Sequence, residues 1–357
     1  MKISVVKNES KFLFFPPSVF IPYSLPIIKN FHIMYDIITF GSAAKDIFLK
    51  TDKLKTASGK GFVTGKGVCF NLGSKIDIEE IFFSSGGGGT NTAATFANQG
   101  FKVAYCGAVG DDLAGKEIIE ELDGFGVDTN FIIKKEKPTN HSIIFIDSKG
   151  ERTAFVYRGA SGELKKQDIS WKKLQAKWFY IAPLSGSLCS KFGEIIDFAY
   201  KNKIKVALNP GNCQLNLPIK RLEKILKKVD ILFLNQEEAS FLTKVPYQKE
   251  KEIFKKLDEF CPGIVMMGNS KRGVASDGKY IYYAEVPKIK VLDRTGAGDA
   301  GNSGFVSGFI KSKGDIEYAE QLGMANNVSC LKKIGAKTGL LKKNEKFGKV
   351  KITKSKI

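Results

Sequence analysis

The chain of 357 residues has only two histidines, and none of its six cysteines forms a Cys-x-x-Cys pair. A zinc site of ordinary spacing cannot be assembled from that set. Of the histidines, His32 lies in a proline-rich N-terminal segment and His141 in a strand-like run, so a Ser-His-Asp hydrolase is disfavoured. The cysteine spacing fits reduced thiols and a cytoplasmic protein. An uninterrupted hydrophobic run is missing too. Residues 12–28 are apolar but carry Pro16, Pro17, Pro22 and Pro26, which forbids a regular membrane-spanning helix. Lys7, Glu9 and Lys11, with no small-residue cleavage site, make a poor secretory signal. Residues 1–33 are therefore expected to be a disordered extension or a misplaced start, with Met34 a sensible initiator, and no membrane partner is expected. Negative charge is scarce: 56 Lys and Arg face 37 Asp and Glu, for a net +19. Residues 1–33 contribute +3 and a lysine-rich tail at 341–357 contributes +6, leaving +10 for the other 307 residues. These lysines are scattered over amphipathic helices without a nucleic-acid motif, so the excess reads as a solvated surface that attracts nucleotide phosphates. Short repeats and low-complexity tracts before the tail are absent, and the four-glycine run at 86–89 is not the dinucleotide fingerprint, because the G-x-G-x-x-G spacing with a strand before it and an acid about twenty residues on is missing there.

What is present is a 43% hydrophobic chain, enough for a large α/β core. A buried strand is expected at 36–40. Apolar runs at 178–182, 205–208, 231–234 and 264–267 alternate with helical stretches, the pattern of a parallel sheet. Residues 47–83 and 141–158 alternate apolar with polar residues around glycines, and Asp147-Ser-Lys-Gly-Glu marks a hairpin turn. They are expected to form a small β lid inserted into the core domain.

The densest signal is at residues 293–309, where a glycine-rich turn runs directly into small and apolar residues at helical spacing. Gly296, Ala297 and Gly298 leave the first-turn amides of a helix uncovered, and those amides carry the positive end of its dipole. Asp299, inside that anion trap, could take a proton from an attacking hydroxyl. The residues alone also permit a plain helix cap. Asp46, read as the exit of the first strand, could accept hydrogen bonds from vicinal hydroxyls or serve a turn. Asn235-Gln-Glu-Glu238 reads as a capped helix start.

The string Asp293-Arg294-Thr295-Gly296-Ala297-Gly298-Asp299 resembles the D-T-x-G-A-G-D signature of the ribokinase-like (PfkB) carbohydrate kinases. Arg294 departs from it but leaves turn and base intact. The run at 84–97 resembles the G-G-x-x-N-x-A motif, with Gly86, Gly87, Asn91 and Ala93 in the matching places. Residues 107–115 resemble the continuation G-x-V-G-x-D-x-x-G, and Gly335-Ala336 the closing Gly-Ala. The resemblance spans 36 to about 340. It implies a Rossmann-like central parallel sheet flanked by helices, with a β-sheet lid on a kinase domain at 34–340. Asp299 becomes the catalytic base and 296–298 the anion hole. Asp46, Gly86, Gly87 and Asn91 become substrate contacts, joined by Arg158, since Tyr157-Arg158 resembles the 2-keto-3-deoxygluconate kinase branch. The N-x-x-E motif at Asn235 and Glu238 implies water-mediated ordering of Mg²⁺ and ATP phosphates. Thr295, Gly273 and Asn326 join the nucleotide set, although Gly268-Asn-Ser-Lys-Arg-Gly273 keeps only the last glycine of T-x-G-x-x-G. The implied partners are a small sugar or nucleoside and ATP, with room for a monovalent cation such as K⁺ and for a homodimer through the lid. Pro183-Leu184-Ser185-Gly186 stands where ribokinases tend to carry a Glu, which weakens ribose specifically. Adenosine-type nucleosides and 2-keto-3-deoxygluconate are the alternatives. From other classes come a silent sugar sensor, which the intact Asp299 turn opposes, and a basic nucleic-acid-associated protein.

Overall fold

Strands buried on both faces are largely apolar, and that is how the central strands are made: β1 (Tyr35–Phe40) reads YDIITF with Ile37, Ile38 and Phe40 fully buried and the buried Thr39 hydroxyl donating to Gly89 O. The structure is a computed structural model that describes residues 34–53, 55–59, 66–146, 152–269 and 272–357. The expectations for 1–33 and for the turn at 147–151 lie outside those residues.

After β1 come β2 (Ala44–Lys50), β3 (Lys55–Ser58), β4 (Lys66–Cys69), β5 (Glu80–Gly86), α1 (Gly88–Asn98), β6 (Val103–Gly110), α2 (Leu113–Gly124), β7 (Ile132–Lys135), β8 (Asn140–Ile146) and β9 (Arg152–Tyr157). The second half holds β10 (Ala176–Ile181), α3 (Gly186–Lys201), β11 (Lys205–Leu208), α4 (Asn212–Leu215), α5 (Ile219–Leu226), β12 (Ile231–Asn235), α6 (Gln236–Thr243), α7 (Glu250–Phe260), β13 (Ile264–Gly268), β14 (Arg272–Ser276) and β15 (Tyr280–Glu285). The chain ends with α8 (Ala297–Lys311), α9 (Ile316–Leu331) and β16 (Ile352–Lys356).

Among the described residues the main sheet runs β16-β15-β14-β13-β12-β11-β10-β1-β6-β7. From β7 to β13 it is parallel, as expected, and the four apolar runs at 178–182, 205–208, 231–234 and 264–267 all fall on its strands. From β13 to β16 it is antiparallel, so the sheet is mixed. One apolar cluster holds Phe40, Phe179, Phe192 and Phe254, and another holds Phe96, Tyr105, Phe233 and Phe305.

Three expectations are corrected. The lysine-rich end is not merely a tail: β16 pairs with β15 from Ala284↔Ile352 to Tyr280↔Lys356 and covers that edge of the sheet. Lys354 lies 4.0 Å from the ring centroid of Tyr280 and 4.7 Å from that of Tyr282, so one lysine of the run that read as solvated is seated on aromatic faces. The thiols are not all reduced, because Cys189 of α3 and Cys213 of α4, with Cα atoms 6.1 Å apart, form a disulfide. Nothing in their spacing of 24 residues marks that pair. The lid sheet, ordered β5-β2-β8-β9, begins at Ala44 and reaches Gly86, while β3 and β4 pair with each other as a separate two-stranded ribbon. One lid face buries Asp46, Phe48 and Ile144, whereas on the other Ile81, Phe83, Ile143 and Phe155 are exposed.

Candidate active site

β5 turns at Gly87 into α1, a helix of glycine, threonine and alanine whose Thr90 and Thr92 hydroxyls donate back to the Gly86 and Gly88 carbonyls. The small side chains let α1 lie close to α8. Asn91, 4% exposed, crosses the gap and donates from Nδ2 to Asp299 Oδ2 at 2.8 Å, joining residues 208 apart in sequence. Its Oδ1 is buried and has no hydrogen-bond partner among the described residues. Gly88 completes the approach, since a Cβ there would stand 3.5 Å from Asp299 Oδ1. Thus Gly88, which the sequence reading passed over, faces the base, and Gly86 lies against Asp46 instead.

The turn before α8 is held from below. Asp293 accepts from Thr295 N at 2.9 Å, Thr295 Oγ1 at 2.8 Å and Gly335 N at 2.9 Å. Gly296 has φ 72°, and a Cβ on it would collide with Ala336, so both the backbone and the close approach require glycine. Gly298 is different: a Cβ there would meet nothing within 4 Å, so the helix start opens onto free space. Burial pushes the Asp299 carboxyl above its ordinary range, while the Asn91 hydrogen bond and the charge of Lys337 pull it down.

Asp46 is not at the carboxyl end of β1. Gly41 to Ala43 make that exit, and Asp46 sits inside β2 opposite Ser84 and Ser142, 5% exposed. The lid itself therefore carries this carboxylate. A side chain on Gly86 would strike Asp46 Oδ2. Burial raises the Asp46 carboxyl, and the Ser142 hydrogen bond and the charges of Lys337 and His141 oppose that rise. Arg158 is exposed just after β9, which among the described residues is an edge strand of the lid sheet.

The nucleotide residues expected from sequence are placed less tellingly. Asn235 Oδ1 accepts from Glu238 N at 2.7 Å and Glu238 Oε2 accepts from Asn235 N at 2.8 Å, a capping box at the start of α6. Glu238 Oε1 lies outside that box. Gly273 is buried in β14, where a Cβ would stand 3.1 Å from Glu320 Oε2. Asn326 does not line a pocket: it is 0% exposed, its Nδ2 donates to Ala300 O at 2.8 Å, and its Oδ1 accepts from Leu341 N at 2.8 Å. Its amide ties α9 to α8 and to the chain's end. Sequence reasoning assigned no role to Asp293 beyond the motif and missed Lys337, whose signal was its place directly after Gly335-Ala336.

An ionisable group beside uncovered helix-start amides can deprotonate a nucleophile where an anion is held. The sequence pattern of the pfkB family carbohydrate kinases matches residues 65–342. The chain belongs to that family. It is 29% identical over 246 residues to an uncharacterized sugar kinase of Archaeoglobus fulgidus, covering 68% of this chain and 96% of the relative. The Arabidopsis thaliana ribokinase complexed with ribose and ATP shares the fold at TM-score 0.70 and 21% identity, covering 87% of this chain and 96% of that one. The adenosine kinase of Sinorhizobium meliloti does so at TM-score 0.69 and 23% identity, covering 85% and 95%. As a pfkB carbohydrate kinase the chain is a phosphotransferase with a hydroxyl acceptor.

Proposed function

We propose that this kinase transfers the γ-phosphoryl group of ATP to a hydroxyl of a neutral polyhydroxy compound, a sugar before a nucleoside. The observation that carries the reading is the Asn91–Asp299 bond, with the orphaned Asn91 Oδ1 on one side and the open Gly298 turn on the other. An orphaned buried acceptor takes a hydroxyl donor well and a carboxylate badly. Asp46 adds acceptor oxygens from the lid. Asp299 accepts the proton of the attacking hydroxyl, and the 296–298 amides receive the transferring phosphoryl oxygens, whose charge they stabilise without reorganisation. Lid closure over Asp46 excludes water as a competing acceptor.

Among the described residues no cluster of three or more metal-binding side chains exists, which suits a magnesium ion held mainly by phosphate oxygens and water. Asn235 and Glu238 are the residues that would order it, through water. Bound there, Mg²⁺ would offset phosphate charge. ATP would lie over 235–340. A cytoplasmic setting, where ATP is plentiful, belongs to the same reading, as does a homodimer in which a second lid covers Ile81, Phe83, Ile143 and Phe155.

The test is ADP release with ribose, fructose, adenosine, other nucleosides and 2-keto-3-deoxygluconate at one Mg²⁺-ATP concentration, with K⁺ present or replaced by N-methylglucamine. A neutral compound is expected to win. Preference for the sugar acid, abolished by Arg158→Ala, would overturn the ranking of substrates. No ADP release with any of them would overturn the reading itself.

A further inference from the structure

Lys337 is the one lysine among the described residues that is buried, 5% exposed. It follows Gly335 and Ala336, the residues that brace Asp293 and Gly296, so its backbone is fixed to the anion turn. Its side chain reaches the lid: Nζ donates to Ser85 Oγ at 2.5 Å and stands 3.4 Å from Glu121 Oε2 of α2. Ser85 in turn donates to Glu121. One strand position beyond Ser85, Gly86 lies against Asp46.

Isolating an ammonium from water costs several kcal/mol unless fixed charges surround it. Burial pushes the Lys337 ammonium below its ordinary range, and Glu121 of α2 first, then Asp46 of β2 and Asp299 of α8, oppose that fall. The charged and titratable groups felt by the two aspartates are few. Asp46 feels Lys337, His141 and Asp293, while Asp299 feels Lys337, with Tyr180 and Cys330 titrating beside it. Lys337 is thus the cation common to both carboxylates. We propose that Lys337 is a positioning residue, whose buried ammonium is the shared counter-charge of Asp46 and Asp299 and ties the lid strand β5 to the anion turn. It does not touch the reacting atoms. Its role rests on the kinase reading, because it keeps the base and the substrate-binding carboxylate anionic together within one cleft.

The first measurement needs no variant. NMR titration of ¹³C-labelled aspartate in the full chain, with Asp46 and Asp299 assigned by Asp46→Asn and Asp299→Asn, is expected to find both ionised at pH 7. Either one protonated there overturns the proposal, whether or not the kinase reading holds. The second compares Lys337→Met with wild type on the best substrate of the ADP-release screen. An opposite charge close to a carboxylate typically moves its titration by about 1–3 units. The acid limb of kcat should therefore shift up by about one unit, so that the loss approaches about tenfold on the acid side of the limb and disappears on the plateau toward about pH 9. A merely structural lysine would lower Tm and leave the limb where it was, and that outcome also refutes the assignment. If Lys337→Met does not fold, Lys337→Gln, which keeps a donor for Ser85, is put to the same profile. Should neither fold, the wild-type titration decides.

Discussion

The two halves of the cleft are built to different standards. On the acceptor side, α1, the lid and the start of α8 touch through glycine, threonine and a single amide, and nearly every contact fixes a group that can act on substrate: Gly86 against Asp46, Gly88 against Asp299, Asn91 on Asp299. On the side proposed for the nucleotide the signature residues are occupied with structure. Asn235 and Glu238 cap α6, Asn326 staples α9, and Gly273 lies under a buried glutamate. Chemistry at one atom demands placement within fractions of an ångström, whereas a polyanion and its metal can be held by amides, water and long-range charge. The acceptor half should therefore respond sharply to single substitutions and the nucleotide half mildly.

The strongest test of that contrast is Asp299→Asn. The isosteric amide keeps the contact with Asn91 but cannot take a proton, so kcat should fall by about 10²- to 10⁴-fold while ATP binding and Tm stay near wild type. Near wild-type turnover in single-turnover assays would remove Asp299 from the mechanism. Next comes Gly298→Val. Because a Cβ at 298 meets open space, the substitution should not unfold the protein, yet it puts methyl groups where a phosphoryl oxygen would approach the amides. A loss of about 10²-fold, mostly in kcat, is expected, the scale of one lost oxyanion donor. A fall in thermal stability alone would make the turn structural. Asp46→Ala should lower kcat/KM by roughly ten- to a hundredfold, through about 1–3 kcal/mol of lost hydroxyl binding. Steady-state kinetics that show no change would put the lid carboxylate outside the substrate site.

How legible each half was in the sequence follows from the same difference. The turn at 293–299 could be read because glycines at 296 and 298, and an acid at a helix start, each have a local physical cause. The parallel strands could be read because burial on both faces leaves runs such as Ile-Leu-Phe-Leu at 231–234 with no other home. Asp46 was put on the wrong element: periodicity cannot tell a strand's exit from the next strand when only Gly41 to Ala43 separate them. Gly88, and not Gly86 or Gly87, faces Asp299, and within four consecutive glycines no local pattern singles it out. Lys337 and the Cys189–Cys213 bond depend on contacts between distant segments, which no local pattern reports. For β16, seven lysines in seventeen residues masked the short Ile-Thr-Lys-Ser-Lys alternation that pairs with β15.

The mildest effect on catalysis, and the sharpest contrast with Asp299, is expected at Glu320 of α9. Both carboxylates are buried, but Asp299 has Asn91 and Lys337 for company, whereas both oxygens of Glu320 lack a hydrogen-bond partner among the described residues, in the neighbourhood of Gly273, Met266 and Met324. Burial alone pushes the Glu320 carboxyl up to about 8. Its folded value lies above the unfolded one of about 4.3, so between the two the native state binds more protons than the unfolded chain. Stability should therefore fall as pH rises from about 4.5 to about 8 and level off above. Glu320→Met fills similar space among the methionines without a charge. It should flatten that slope, gain about 2–4 kcal/mol over wild type at pH 8, and gain little at pH 5, where the wild-type carboxyl is already neutral. Turnover with saturating ATP should change by less than about twofold, since no step in the proposed transfer uses this carboxyl. Melting curves of both proteins from pH 5 to 9 decide the matter. Parallel curves would mean that Glu320 is solvated or paired in solution, and a large loss of kcat in the variant would mean that the nucleotide half holds a working group as exacting as those around Asp299.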